Sequence, residues 1–122
     1  MKPKFKVIIA GSRSFADLEL MKSKCDRILN SKSETHDIHI ISGTAKGADE
    51  YGEKYAEEKG YSIMRFPANW EAHGKRAGMI RNAEMLKSAD AVIVFWDGSS
   101  RGSQHMIAIS EERGIPLRVV CF

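Results

Sequence analysis

The chain has 122 residues, 43% of them hydrophobic, which fits one domain spanning 1–122 with a real core and no room for a separate substrate domain. No apolar run approaches the ~20 residues that cross a bilayer, and Met1-Lys2-Pro3-Lys4 leads straight into a strand rather than a signal peptide, so a cytoplasmic protein without a membrane partner is expected. The net charge of +3 is too small for a protein that coats nucleic acid, but it suits an anionic ligand.

Lys4 to Ala10 alternates and then saturates with apolar residues, as a strand buried on both faces does. It breaks at Gly11-Ser12-Arg13-Ser14-Phe15. Behind a Ser14-x-x-Asp17 start signal, Leu18, Met21, Cys25, Ile28 and Leu29 recur at helical spacing, predicting a helix from Asp17 to about Ser31. Asp37 to Ile41 is a second strand, ending in Ser42-Gly43-Thr44-Ala45-Lys46-Gly47-Ala48-Asp49. The helix expected over Lys46 to Lys59 carries a face of small residues, Ala45, Ala48, Gly52, Tyr55 and Ala56, that suits close packing on a sheet, with Gly60 as its C-cap.

Tyr61 to Phe66 reads as a third strand, and Pro67 to Gly74 as a loop without periodicity. A helix from about Lys75 to Ser88 precedes the strand Asp90 to Phe95. After Trp96-Asp97-Gly98-Ser99-Ser100-Arg101-Gly102-Ser103, a last helix from about Gly102 to Arg113 ends at Gly114, with Pro116 beyond and a final strand over Leu117 to Phe122. Cys25 and Cys121 lie in no metal-ligand or Cys-x-x-Cys pattern and read as two reduced core thiols.

This βαβαβαβαβ alternation predicts an α/β three-layer sandwich, a five-stranded parallel sheet of order 3-2-1-4-5 with helices on both faces. The chain reverses direction between strands one and four, and ligands of such sheets bind at that switch point. Three strand-to-loop transitions, at Gly11, Gly43 and Gly98, would then share one edge, where unpaired backbone amides bind phosphate.

Near that edge stand the candidate chemical groups. Lys75 and Arg76 open a predicted helix against its macrodipole, with Arg81 and Asn82 a turn later, an arrangement a bound anion would compensate and solvated surface charge would also explain. Trp70, Trp96 and Phe15 could stack on a base or pack in the core. Among Asp49, Glu50, Glu53, Glu71, Asp97 and Glu84, Asp49 and Glu71 are the candidates for the carboxylate that cleavage of a glycosidic bond requires, with capping as the plainer role. His36, His39, His73 and His105 have no metal spacing; His39 reads as a strand residue and His105 as one on a helix face. No metal and no cofactor is expected. Neither Gly-x-x-x-x-Gly-Lys-Ser/Thr nor Gly-x-Gly-x-x-Gly is present, which argues against an ATPase and an NAD dehydrogenase.

With the Gly11 to Phe15 loop, Ser42 to Asp49, Phe66-Pro67-Ala68-Asn69-Trp70, Ala77-Gly78-Met79-Ile80-Arg81-Asn82 and Phe95 to Ser103 in this order, the chain resembles the YspA-like, YpsA-related branch of the SLOG superfamily. The resemblance implies a Rossmann-like domain related to the DprA DNA-processing proteins and the Lonely Guy phosphoribohydrolases, and a role in binding nucleotides or nucleotide-derived signals. Carried onto this sequence, the ligand-facing positions are Gly11, Ser12, Arg13, Ser42, Gly43, Lys46, Gly47, Asp49, Arg81, Asn82, Asp97, Gly98, Ser100, Gly102 and Ser103, to which the aromatic argument adds Trp70. Met106 stands where the phosphoribohydrolases carry a catalytic glutamate, so binding transfers better than hydrolysis.

Three functions follow. The leading one is binding of a nucleotide or a phosphorylated-nucleoside or ADP-ribose-like ligand, as a sensor or processing domain. The first alternative is an N-glycosidase acting on nucleoside monophosphates through Asp49 or Glu71. The second is DprA-like nucleic-acid binding through Lys75, Arg76, Arg81 and Arg101, disfavoured by the modest charge. Whether a bond is broken stays open, and pairing through helices in the relatives makes a two-fold homodimer compatible with the sequence.

Overall fold

A computed structural model describes residues 1–122. Five parallel strands, β1 (Lys4–Gly11), β2 (Asp37–Ser42), β3 (Ser62–Arg65), β4 (Ala91–Trp96) and β5 (Leu117–Cys121), form one sheet in the order 3-2-1-4-5. The expected fold is the one found. β1 is central because its apolar run serves two cores at once. Val7 and Ile9 point into one cluster with Met21, Cys25 and Leu29 of α1 (Leu18–Thr35) and Tyr55 and Ala56 of α2 (Ala48–Lys59). Ile8 and Ala10 point into the other, with Met85 and Leu86 of α4 (Ala77–Ser88) and Met106 of α5 (Arg101–Arg113). Each large aliphatic chain so buried contributes about 1.5–3 kcal/mol.

The element ends differ from the sequence expectation where capping and tertiary hydrogen bonds outrank periodicity. Asp17 caps α1 by accepting from the Leu20 amide at 3.0 Å, but the helix runs on to Thr35. Its apolar stripe stops at Leu29, so the last turns of polar residues carry no periodic signal. α2 starts at Ala48 rather than Lys46, since Gly47 adopts φ +82° and the Ala48 amide donates to Ser12 O at 3.2 Å. Gly60 does cap α2, in the left-handed region.

Pro67 to Gly74 is not all loop: α3 (Trp70–His73), capped by Asn69 Oδ1 accepting from the Ala72 amide at 3.1 Å, runs into a 3₁₀ turn over Gly74–Arg76. That helix buries no side chain, so no apolar pattern could announce it. Lys75 and Arg76 therefore stand ahead of α4 instead of in its first turn.

Cys25 is a buried thiol, pushed up to about 12 by desolvation. Cys121, expected to be buried, is exposed; β5 is an edge strand, and the helices cover it only in part.

Candidate functional site

The carboxyl ends of β1 and β4 and the starts of α4 and α5 enclose a cleft of about 1050 Å³. Its floor is built by close backbone approach. Gly11 sits where a Cβ would come within 2.0 Å of Phe95 O, and the next amide, Ser12 N–H, donates to that same oxygen at 2.8 Å. A larger residue at Gly11 would drive β1 from β4, which is why the turn needs glycine.

Ser12 starts a ladder of hydroxyls. Its Oγ accepts from the Asp97 amide at 3.0 Å and lies 3.1 Å from Ser100 Oγ. Ser100 gives its hydrogen to Ser103 Oγ at 2.6 Å, so Ser12 must be the donor to Ser100. The hydrogen of Ser103 is left without a protein acceptor, on a residue that is 4% exposed and borders the cleft. Ser103 lies in the first turn of α5, a helix whose start has neither a side-chain cap nor an acidic residue. Its first amides are free to meet an anion.

Asp97 holds the preceding turn: its Oδ1 accepts from the Ser99 and Ser100 amides, each at 2.9 Å. These backbone donors, the Ser99 contribution first, hold its carboxyl down at about 2.

On the opposite wall, Arg81 of α4 donates from Nη1 to Gly43 O at 2.5 Å and from Nε to Asn82 Oδ1 at 3.0 Å. Asn82 Nδ2 in turn meets Gly102 O at 3.3 Å and His105 Nδ1 at 3.2 Å, tying α4 to the start of α5. Asp49, 5% exposed, accepts from the Ala45 amide at 3.1 Å. Desolvation raises its pKa to about 6 against the opposing pull of that amide and of Arg81. Burial also lowers the pKa of Arg81, which stays a cation at neutral pH.

Of the ligand-facing positions taken from the resemblance and the aromatic argument, ten border this cleft: Gly11, Arg13, Asp49, Trp70, Arg81, Asn82, Asp97, Ser100, Gly102 and Ser103. The others lie elsewhere. Ser12 is buried beneath the cleft as the root of the ladder. Ser42 turns away to donate to Glu53 at 2.6 Å, itself bound by Arg65. Gly43 lies under Arg81 and Asp49, close enough that a Cβ would collide with both. Lys46 borders a separate charged groove with Glu50 and Glu53, while Gly47 and Gly98 supply positive φ to the two turns. Glu71 is exposed on α3 and does not border the cleft.

Phe15 is buried among Tyr51, Phe95 and Phe122 rather than offered for stacking. Trp96 is held by its indole N–H donating to Ser100 O at 3.2 Å. Ser14, Lys75, Arg101 and His105 border the cleft as well. Arg101 and His105 stand four apart on α5, one helical turn, so that both border the cleft from the same side of the helix. Arg13, Lys75 and Arg101 take part in none of the ion pairs of the molecule.

Residues 5–73 match the model of a family described as the YspA, cpYpsA-related SLOG family. Gene 61 protein of Mycobacterium phage D29 is 31% identical over 119 residues, covering 92% of this chain and 93% of that protein. Two solved structures share the fold. The X-ray structure of TM1055, a structural genomics target, superposes with a TM-score of 0.63 at 19% identity, over 96% of this chain and 72% of that one. DNA processing protein A (DprA) from Streptococcus pneumoniae gives 0.68 at 18% identity, over 97% of this chain and half of that one, 50%.

Proposed function

Because the chain belongs to the YspA, cpYpsA-related SLOG family, we propose that the cleft binds a nucleotide or a nucleotide-derived anion, with its phosphate at the start of α5. The observation that carries this reading is the pairing of an uncapped helix start with the unclaimed hydroxyl hydrogen of Ser103. Free amides, an O–H without a protein acceptor and the positive end of a helix dipole converge there. Arg13, Lys75 and Arg101 add unpaired positive charge, and with Arg81 they outnumber the two carboxylates of the cleft, Asp49 and Asp97. The exposed indole of Trp70, 53% accessible, offers a face for a base.

A panel of nucleoside mono- and diphosphates, cyclic nucleotides and ADP-ribose, followed by thermal unfolding, tests this. A ligand at about 100 times its Kd stabilises by roughly 2.7 kcal/mol, about 10 °C in a domain of this size. Arg13→Ala and Ser103→Ala are each expected to weaken the best ligand about tenfold, the scale of one hydrogen bond to a charged group. No shift with any member of the panel would overturn the reading. Tight binding of single-stranded DNA that falls steeply with salt would replace it with a nucleic-acid function.

One observation favours a second reading. Asp49 is a buried cleft carboxyl whose pKa desolvation raises to about 6, toward the range in which a general acid for N-glycosidic cleavage holds its proton. Met106, at the position of the phosphoribohydrolase glutamate, is buried and supplies no carboxylate. On this reading a nucleoside monophosphate and water yield free base and ribose 5-phosphate, and Asp49→Asn abolishes the release.

A further inference from the structure

Asn82 is 6% exposed, and its neighbours fix which way its amide points. Arg81 Nε, 3.0 Å from Oδ1, can only donate, and Gly102 O, 3.3 Å from Nδ2, can only accept. The second hydrogen of Nδ2 is thereby directed at His105 Nδ1, 3.2 Å away, which must accept it. The imidazole is then neutral with its proton on Nε2, and burial lowers its pKa in the same direction. Nε2–H has no partner in the protein, and the ring borders the cleft.

We propose that His105 is a specificity-determining residue of the cleft, donating from Nε2 to an uncharged oxygen of the ligand beyond its phosphate, the sugar of a ribose phosphate. The inference rests on the phosphate position assigned above to the start of α5. His105 follows Arg101 by four residues on that helix, about one turn or ~5.4 Å, the scale that separates a phosphoryl group from the sugar it esterifies. Charge is already met by Arg13, Lys75 and Arg101. A neutral ring held in one tautomer by a buried amide adds little to phosphate affinity but discriminates in favour of a ligand that carries an oxygen acceptor there.

Calorimetric titration with inorganic phosphate and with ribose 5-phosphate separates the two readings. In the unaltered protein ribose 5-phosphate should bind more tightly than phosphate. In His105→Phe the ratio of the two constants should fall about tenfold, and His105→Gln, which retains an acceptor and a donor, should recover part of it. Nitrogen NMR of the unaltered protein gives an independent reading: the proton should reside on Nε2, and that nitrogen should move with ribose 5-phosphate but hardly with phosphate. An unchanged ratio in His105→Phe, or a proton found on Nδ1, would overturn the role of His105 and leave the phosphate site standing. Failure of the unaltered protein to bind either probe would overturn both.

Discussion

Gly11→Ala is expected to cost about 4 kcal/mol or more of folding stability. The new methyl would stand 2.0 Å from Phe95 O and 2.8 Å from Ala48 Cβ, on a residue with φ +154°. None of these neighbours is the loose end of a flexible side chain. β1 would have to part from β4 where Gly11 pairs with Phe95, stretching the Ser12 N–H to Phe95 O bond and, through Ser12 O, the bond from the Ala48 amide. Overpacking costs about 1–3 kcal/mol, an unfavourable backbone region about 1–2, and each weakened hydrogen bond about 1. Urea unfolding followed by circular dichroism measures the sum. Gly102→Ala is the counterpart: nothing lies within 4 Å of its would-be Cβ, and it is helical, so a gain of about 0.5–1 kcal/mol is expected, together with weaker ligand binding because that open space faces the cleft. A Gly11→Ala protein as stable as the parent would contradict the β1–β4 spacing on which the cleft depends.

That contrast also marks what the sequence could say. The unbroken apolar run of β1 and the strict strand-helix alternation specify a doubly covered parallel sheet, and the order 3-2-1-4-5 is one of the few that short connections and right-handed crossovers leave. The three glycine turns were legible as turns. Their separate roles were not, since a glycine that admits a neighbouring strand, as Gly11 does, reads the same as one that only turns the chain, as Gly98 does. Side-chain direction was hidden too. Ser42 closes β2 and Ser12 follows the end of β1, yet Ser42 is claimed by Glu53 from the adjacent helix while Ser12 reaches across to Ser100. His105 is legible only as a helix-face residue, because its contact with Asn82, 23 residues earlier, joins two helices that no spacing rule links.

Asp49→Asn is expected to stabilise the protein by about 2 kcal/mol at pH 8 and to flatten its stability between pH 4 and pH 7. The carboxyl has a folded pKa of about 6, above its unfolded value of 3.8. Folding therefore takes up a proton in that window, and stability falls as pH rises from about 4 through about 6. Roughly two pKa units correspond to about 3 kcal/mol, less whatever the substituted amide loses in its contact with the Ala45 amide. Desolvation dominates, with Arg81 offsetting it only in part, so removing the charge relieves more than it sacrifices. Urea midpoints at pH 4.5, 6 and 8 for both proteins give the answer. If Asp49→Asn were instead the less stable at pH 8, the attraction of Arg81 would outweigh burial and the carboxylate would be a structural ion. With the expected sign, the chain holds a charge at the edge of its cleft, beside Gly43 and Arg81, whose burial costs more than its bond to the Ala45 amide and its place in the first turn of α2 return. The same variant, assayed with nucleoside monophosphates, shows whether the charge serves binding or bond cleavage at the cleft.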